Sequence, residues 1–141
     1  MVRGECETLP FRVLHRVIPE FRHRCDVIEE SYEFFLAYAA QGTPQESGQV
    51  RDFLARFDRA LDGLGAFFTT YVAALQVDPE PYREFIEVIA RDARAAQAAV
   101  RMVLAQPAVT SQIVDNLNAS IHVRALLTDL FLIDEVLKAH Q

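Results

Sequence analysis

The sequence predicts an all-α protein, an antiparallel four-helix bundle with a short additional N-terminal helix. Three observations predict it. Apolar residues recur at steps of three and four through four long segments, the period of one helix face. No segment shows the strict alternation of a half-buried strand. The connections are short and polar, and short turns between long helices favour antiparallel neighbours. The 141 residues suit a single core, read as a flexible N-terminus over residues 1–9 and one helical-bundle domain over residues 10–141. Apolar residues make up 51% of the chain, enough to fill that core.

The first helical pattern begins at Pro10 and carries Phe11, Leu14, Val17 and Ile18. Pro19 interrupts it, because proline cannot donate to the carbonyl of His15. A restart is expected there, since proline suits a first helical turn. The second piece runs to Ala40 on the stripe Phe21, Cys25, Ile28, Tyr32, Phe35 and Ala39. Gly42 is its expected C-cap. After a polar turn comes the longest clean periodicity, from Pro44 or Ser47 to Leu75. Its stripe is Val50, Phe53, Phe57, Leu61, Leu64, Phe68, Tyr71 and Leu75. Asp78 and Pro79 then form a start signal for a helix to Ala105, which Gln106-Pro107 stops. The last helix spans Val109 to His140. Asp115, Asn116 and Asn118 weaken it locally. From Ile121 to Leu137 it is apolar on more than one face, which fits a helix shared between a core and a partner.

Composition excludes several function classes. A net charge of −6 opposes non-specific binding to nucleic acid or to an anionic membrane, so neither partner is expected. Two cysteines, Cys6 and Cys25, are too few for a disulfide scaffold and lack metal spacing. No signal sequence and no apolar run long enough for a membrane span is visible. A cytoplasmic location is expected. Lys138 is the only lysine beside many arginines, a bias typical of a GC-rich bacterial genome.

Four constellations could carry chemistry. Glu20 and His23 have the i, i+3 spacing of carboxylate-bridged di-iron bundles, but no second Glu–His pair exists among the four histidines. Arg12, Arg16, Arg22, His23 and Arg24, with His15, form a basic cluster. Beside a helix start at Pro19 it would make an anion or acidic-partner site. A helix continuing through Pro19, or arginines paired with Asp26 and its neighbours, would remove that site. Gly63 and Gly65 interrupt the longest helix at about 0.5–1 kcal/mol each relative to alanine. They fit either close packing on the alanines of the next helix, such as Ala93, Ala96 and Ala99, or a small apolar pocket with Phe67, Phe68 and Tyr71. His122 lacks the flanking acid of a phosphoacceptor histidine. Cys25 sits on an apolar stripe and reads as a core thiol. Phosphate loops, nucleophile elbows and metalloprotease motifs are all missing. No catalytic residue, metal site or cofactor is therefore expected.

The leading expectation is a non-enzymatic interaction, adaptor or regulatory module. It would pair as a homodimer through Leu126, Leu127, Leu130, Phe131 and Ile133 of the last helix, and another protein could also be a partner. The second is a small-ligand-binding or sensory bundle with its pocket near Gly63, Gly65, Phe67 and Phe68. The third is a metal-dependent oxidoreductase of four-helix type.

Overall fold

A computed structural model describes residues 9–141. Residues 1–8, with Cys6 and nearly all of the stretch expected to be flexible, lie outside the described residues. The described chain is all-helical. Its six helices are α1 (Leu9–Ala40), α2 (Val50–Ala60), α3 (Leu64–Leu75), α4 (Glu80–Leu104), α5 (Ser111–Ala119) and α6 (Ile121–Lys138). The four long segments are those the periodicity marks out, but three of their boundaries differ.

No short N-terminal helix stands apart: α1 runs 32 residues straight through Pro19. Pro19, His15 and Arg16 are all exposed, so the carbonyl that loses its partner lies on the solvent side. Val17 and Phe21, buried on either side of the proline, hold both halves of α1 to one core. Their burial outweighs one missing hydrogen bond, since each large apolar side chain contributes about 1.5–3 kcal/mol. Gly42 closes α1 with φ +64°.

The long central helix is in fact two. Leu61 bonds back to Phe57 and Asp58, and Asp62 to Arg59, so α2 ends in tightening turns. Gly63 then takes φ +62°, a left-handed conformation that favours glycine. Arg24 of α1 fixes this corner. Its guanidinium donates to the carbonyls of Ala60 (3.1 Å) and Asp62 (2.6 Å), pairs with Glu20 and lies 5.0 Å above the Phe67 ring. Gly65 has a separate reason to be glycine. A Cβ there would stand 2.7 Å from Cβ of Ala90 in α4. The close approach to an alanine is the packing the glycines suggest, one turn earlier in α4 than Ala93.

The last segment also breaks, at Ser120, just past the weak residues 115–118. Ser120 is extended (φ −60°, ψ 128°) and separates α5 from α6. α4 starts where Asp78-Pro79 indicates: the Asp78 carboxylate accepts the Glu80 N–H at 3.1 Å.

α1 packs against α2, α3 and α5, while α4 packs against α2, α3 and α6. Phe21 of α1 meets Phe67, Phe68 and Tyr71 of α3 at 5.5–6.3 Å between ring centroids. Such aromatic pairs are worth about 0.5–1.5 kcal/mol each beyond area burial. In α2 the core face is Val50, Leu54 and Phe57, and Leu61 just past its end is buried as well. Phe53 instead stacks on Phe34 at 4.1 Å, with Arg56 4.8 Å above it.

At one end a polar knot joins the loops. Tyr38 donates to the Val109 carbonyl (2.5 Å) and accepts from the Ser47 N–H (3.3 Å). Ser111 donates to the Tyr38 carbonyl, and Glu46 accepts from the Val109 N–H. Arg51 pairs with Glu46 and donates to the carbonyls of Leu104 and Gln106, capping α4.

Gly65→Ala should destabilise the protein by about 1–3 kcal/mol in urea unfolding, because backbone or helix must shift to admit the methyl group. Ala90→Gly in the same chain should remove most of that penalty in a double-mutant cycle.

Candidate functional site

α5 lies on α1, but α6 does not. Among the described residues, no Cα of α6 comes within 8 Å of one in α1. After the break at Ser120, α6 packs mainly on α4. A groove of about 250 Å³ lies between α1 and α6. Phe21 and Ile28 from one side and Leu127 and Leu130 from the other form its apolar floor. Arg22, Asp26 and Glu29 of α1 and Phe131 and Asp134 of α6 line its edges. Three carboxylates and one guanidinium thus line the rim of one apolar groove.

Cys25 stands in this groove, half-buried rather than in the core. Burial pushes its thiol up to about 12, helped by Asp134, Glu29 and Asp26 and opposed only by Arg22. A thiol so placed stays protonated at neutral pH and is a poor nucleophile. Nearby, the Gln141 side chain donates to the Tyr71 hydroxyl at 2.5 Å, folding the last residue over the core. Burial raises the Tyr71 pKa, against the lowering effect of that bond.

A second acidic feature lies where α6 packs on α4. Asp129 of α6 neighbours Asp92 of α4. Burial first, and then the Asp92 carboxyl group, raise the Asp129 pKa to about 7. Oδ2 of Asp129 is buried without a hydrogen-bond partner.

The residues of the predicted basic cluster separate. With α1 continuous, no helix N-terminus exists at Pro19. Arg24 caps α2, and His23 lies beside Glu20, Arg56 and Arg59 in the cleft between α1 and α2. Arg22 lines the acidic groove. Arg12 and Arg16 sit exposed one turn apart near the start of α1. Glu20 of the spaced Glu–His pair bonds to Arg24.

The predicted pocket residues separate too. Gly63 and Gly65 border a cleft of about 430 Å³ whose other walls include Asp62, Arg94, Gln97 and Arg101. Phe67, Phe68 and Tyr71 are buried in the aromatic cluster on Phe21, not in that cleft. Residues 63 and 65 turn towards α4, whereas 67, 68 and 71 turn towards α1.

Four of the five predicted dimer residues, Leu126, Leu127, Leu130 and Ile133, are buried within the chain. Their burial corrects the expected face, since a side chain already in the core has no surface to offer. Phe131 alone stays exposed. Leu132 and Val136 are exposed beside it, and sequence reasoning did not single them out. It also missed Asp26, Glu29 and Asp134 as a group. The available signal was the charge reversal along α1 and a lone acid, Asp134, on an otherwise apolar turn.

Two outcomes follow. With Cys6→Ser in place, Cys25 of the native protein should resist iodoacetamide at pH 8 and react at the free-thiol rate only on unfolding. Asp129 titrates in the opposite sense to a salt-bridged acid. Its folded pKa lies above the unfolded value, so its contribution to stability is full below about pH 4 and is lost as pH rises through about 7. Asp129→Asn should therefore raise Tm at pH 8 by ~3–5 °C, flatten stability between pH 5 and 8, and do little at pH 4. No protein family, characterised protein or solved structure matches the chain, so its function has to be read from these side chains alone.

Proposed function

We propose that the protein is a non-catalytic interaction module, an adaptor or regulatory unit that works as a homodimer through the outer face of α6. The reading treats the six helices as four rods, α1, α2–α3, α4 and α5–α6, in an antiparallel up-down-up-down bundle. One observation carries it. Phe131, Leu132 and Val136 are 59%, 56% and 42% exposed on one side of α6. Positions 132 and 136 are neighbours one turn apart on the helix, and Phe131 lies about 100° around it from Leu132. A helix that met only its own chain and water would carry polar residues there. A cluster of exposed apolar side chains is the kind of surface that makes contacts, and a face that meets its own copy closes a two-fold dimer without further partners. Leu126, Leu127, Leu130 and Ile133 belong to the core of each subunit in this reading. The dimer face is therefore shifted outward around Phe131.

A second reading has a specific observation in its favour. The apolar floor of Phe21, Ile28, Leu127 and Leu130 could seat a small ligand, making the protein a sensory bundle. Native mass spectrometry of protein purified from its own host separates the two. A retained small molecule supports the sensor, and a bare dimer supports the module.

Sedimentation equilibrium should find a dimer at tens of micromolar. Phe131→Glu combined with Leu132→Glu should weaken it by on the order of 100-fold with no loss of helical circular dichroism, because both side chains are exposed. A wild-type chain that sediments as a monomer at that concentration ends the dimer reading.

A further inference from the structure

Residues 127, 130, 131 and 134 of α6 recur at steps of three and four, so they share one helix face. Three of them are Leu127, Leu130 and Phe131. The fourth is Asp134, a carboxylate placed among apolar side chains on the wall of the groove. Its side chain is only 31% exposed. Its ion-pair partner Lys138 stands 3.8 Å away, one turn on, and also reaches Glu135 at 3.5 Å. A charge partly withdrawn from water is costly without a close countercharge. An acid there breaks the apolar pattern of this face, and such breaks concentrate at functional sites.

Across the groove, α1 adds Asp26 and Glu29. The thiol of Cys25 reports how the charges of the groove balance. After burial, Asp134, Glu29 and Asp26 all push its pKa upward, and Arg22 opposes them. The potential in the groove is therefore net negative, above a floor that is apolar.

We propose that the groove between α1 and α6 binds a small organic ammonium ion, with its nitrogen at Asp134 and its apolar body on Phe21, Ile28, Leu127 and Leu130. The inference gives the sensory reading its ligand class and rests on that reading, not on the dimer. Size and charge both select this occupant. The groove follows α1 from residue 21 to residue 29, about 12 Å at the helical rise. Its volume of about 250 Å³ suits a molecule smaller than most drugs. An anion would meet three carboxylates. A neutral apolar molecule would cover Asp134 without supplying a countercharge. A hydrated metal ion would gain nothing from the apolar floor, and among the described residues no three acids, histidines or cysteines converge to hold one.

The chain has no tryptophan, so the fluorescence of an added indole belongs to the probe alone. Tryptamine and tryptophol share a ring and a two-carbon chain and differ in ending in an ammonium or a hydroxyl group. In fluorescence titrations of the full-length protein at pH 7, tryptamine should bind about tenfold or more tighter than tryptophol. Asp134→Asn should weaken tryptamine about tenfold and leave tryptophol unchanged, with folding checked by circular dichroism. Asp26 and Glu29 are exposed, so Asp26→Asn/Glu29→Gln tests the other wall without touching the core. It should weaken tryptamine by roughly two- to fivefold. Equal binding of the two probes overturns the inference and leaves the sensory reading standing with a neutral ligand. Tryptamine binding that neither variant weakens puts the ammonium elsewhere and overturns it as well. Absence of binding by both probes at millimolar concentration overturns this inference and the sensory reading together.

Discussion

The hydroxyl of Tyr38 is the joint on which the arrangement of the helices depends. It is fully buried near the end of α1, donates to the Val109 carbonyl and accepts from the Ser47 amide. The loop after α1 and the loop after α4 are thereby held to one point. Ser111 adds a bond to the Tyr38 carbonyl and, through its amide, one to the Thr43 carbonyl. A buried hydroxyl with both functions satisfied is stabilising, whereas the same group unpaired would cost about 1–3 kcal/mol. The knot also sets where α5 begins, and so presses α5 along α1. The molecule is consequently closed at the Tyr38 end. Among the described residues nothing comparable ties α6 to α1, and the groove lies between them.

Two arginines do similar work at helix ends. Arg24 and Arg51 each leave their own helix and donate to the last carbonyls of another, α2 and α4 respectively. Helix C-termini carry partial negative charge and unsatisfied carbonyls, so a guanidinium is well suited to both needs. Each contact spans a long stretch of sequence. The corners at Leu61–Gly63 and Ala105–Val109 are therefore stabilised by tertiary contacts more than by local turn chemistry. Glu46 shows the same coupling from the acid side. Its bonds to Arg51 and to the Val109 amide hold its carboxyl below the ordinary range.

That distinction explains what was legible in the sequence. The helical class, the cap at Gly42 and the start at Asp78 follow from periodicity and local signals, and the structure has all of them, whereas two of the four expected long helices are each broken in two. Pro19 reads locally as a boundary, yet Val17 and Phe21 are both anchored in the core, and tertiary packing overrides the proline. Gly63 and Gly65 were legible as places needing a reason. Their two reasons, a left-handed corner and a close approach to Ala90, are separable only when α4 is in place. The candidate site was less legible. Periodicity cannot say which side of a doubly apolar helix meets its own core. Leu126 and Leu132 look alike in sequence, and only the placement of α4 buries one and exposes the other. Arg24 was grouped with Arg22 because they are close in sequence. On a continuous helix they point about 200° apart, one to the α2 corner and one to the groove.

The same geometry explains why α6 stays away from α1. Were the groove closed, Asp134 would be pressed towards Asp26 and Glu29 with water excluded. Two carboxylates about 6 Å apart repel by roughly 3 kcal/mol at an effective dielectric constant of 20. Among the described residues Arg22 is the one basic side chain lining the groove, and it cannot neutralise three acids. Closing the floor of Phe21, Ile28, Leu127 and Leu130 would gain apolar burial, but those residues are already largely covered, so little remains to offset the repulsion. The open groove is thus the lower-energy arrangement for the isolated chain.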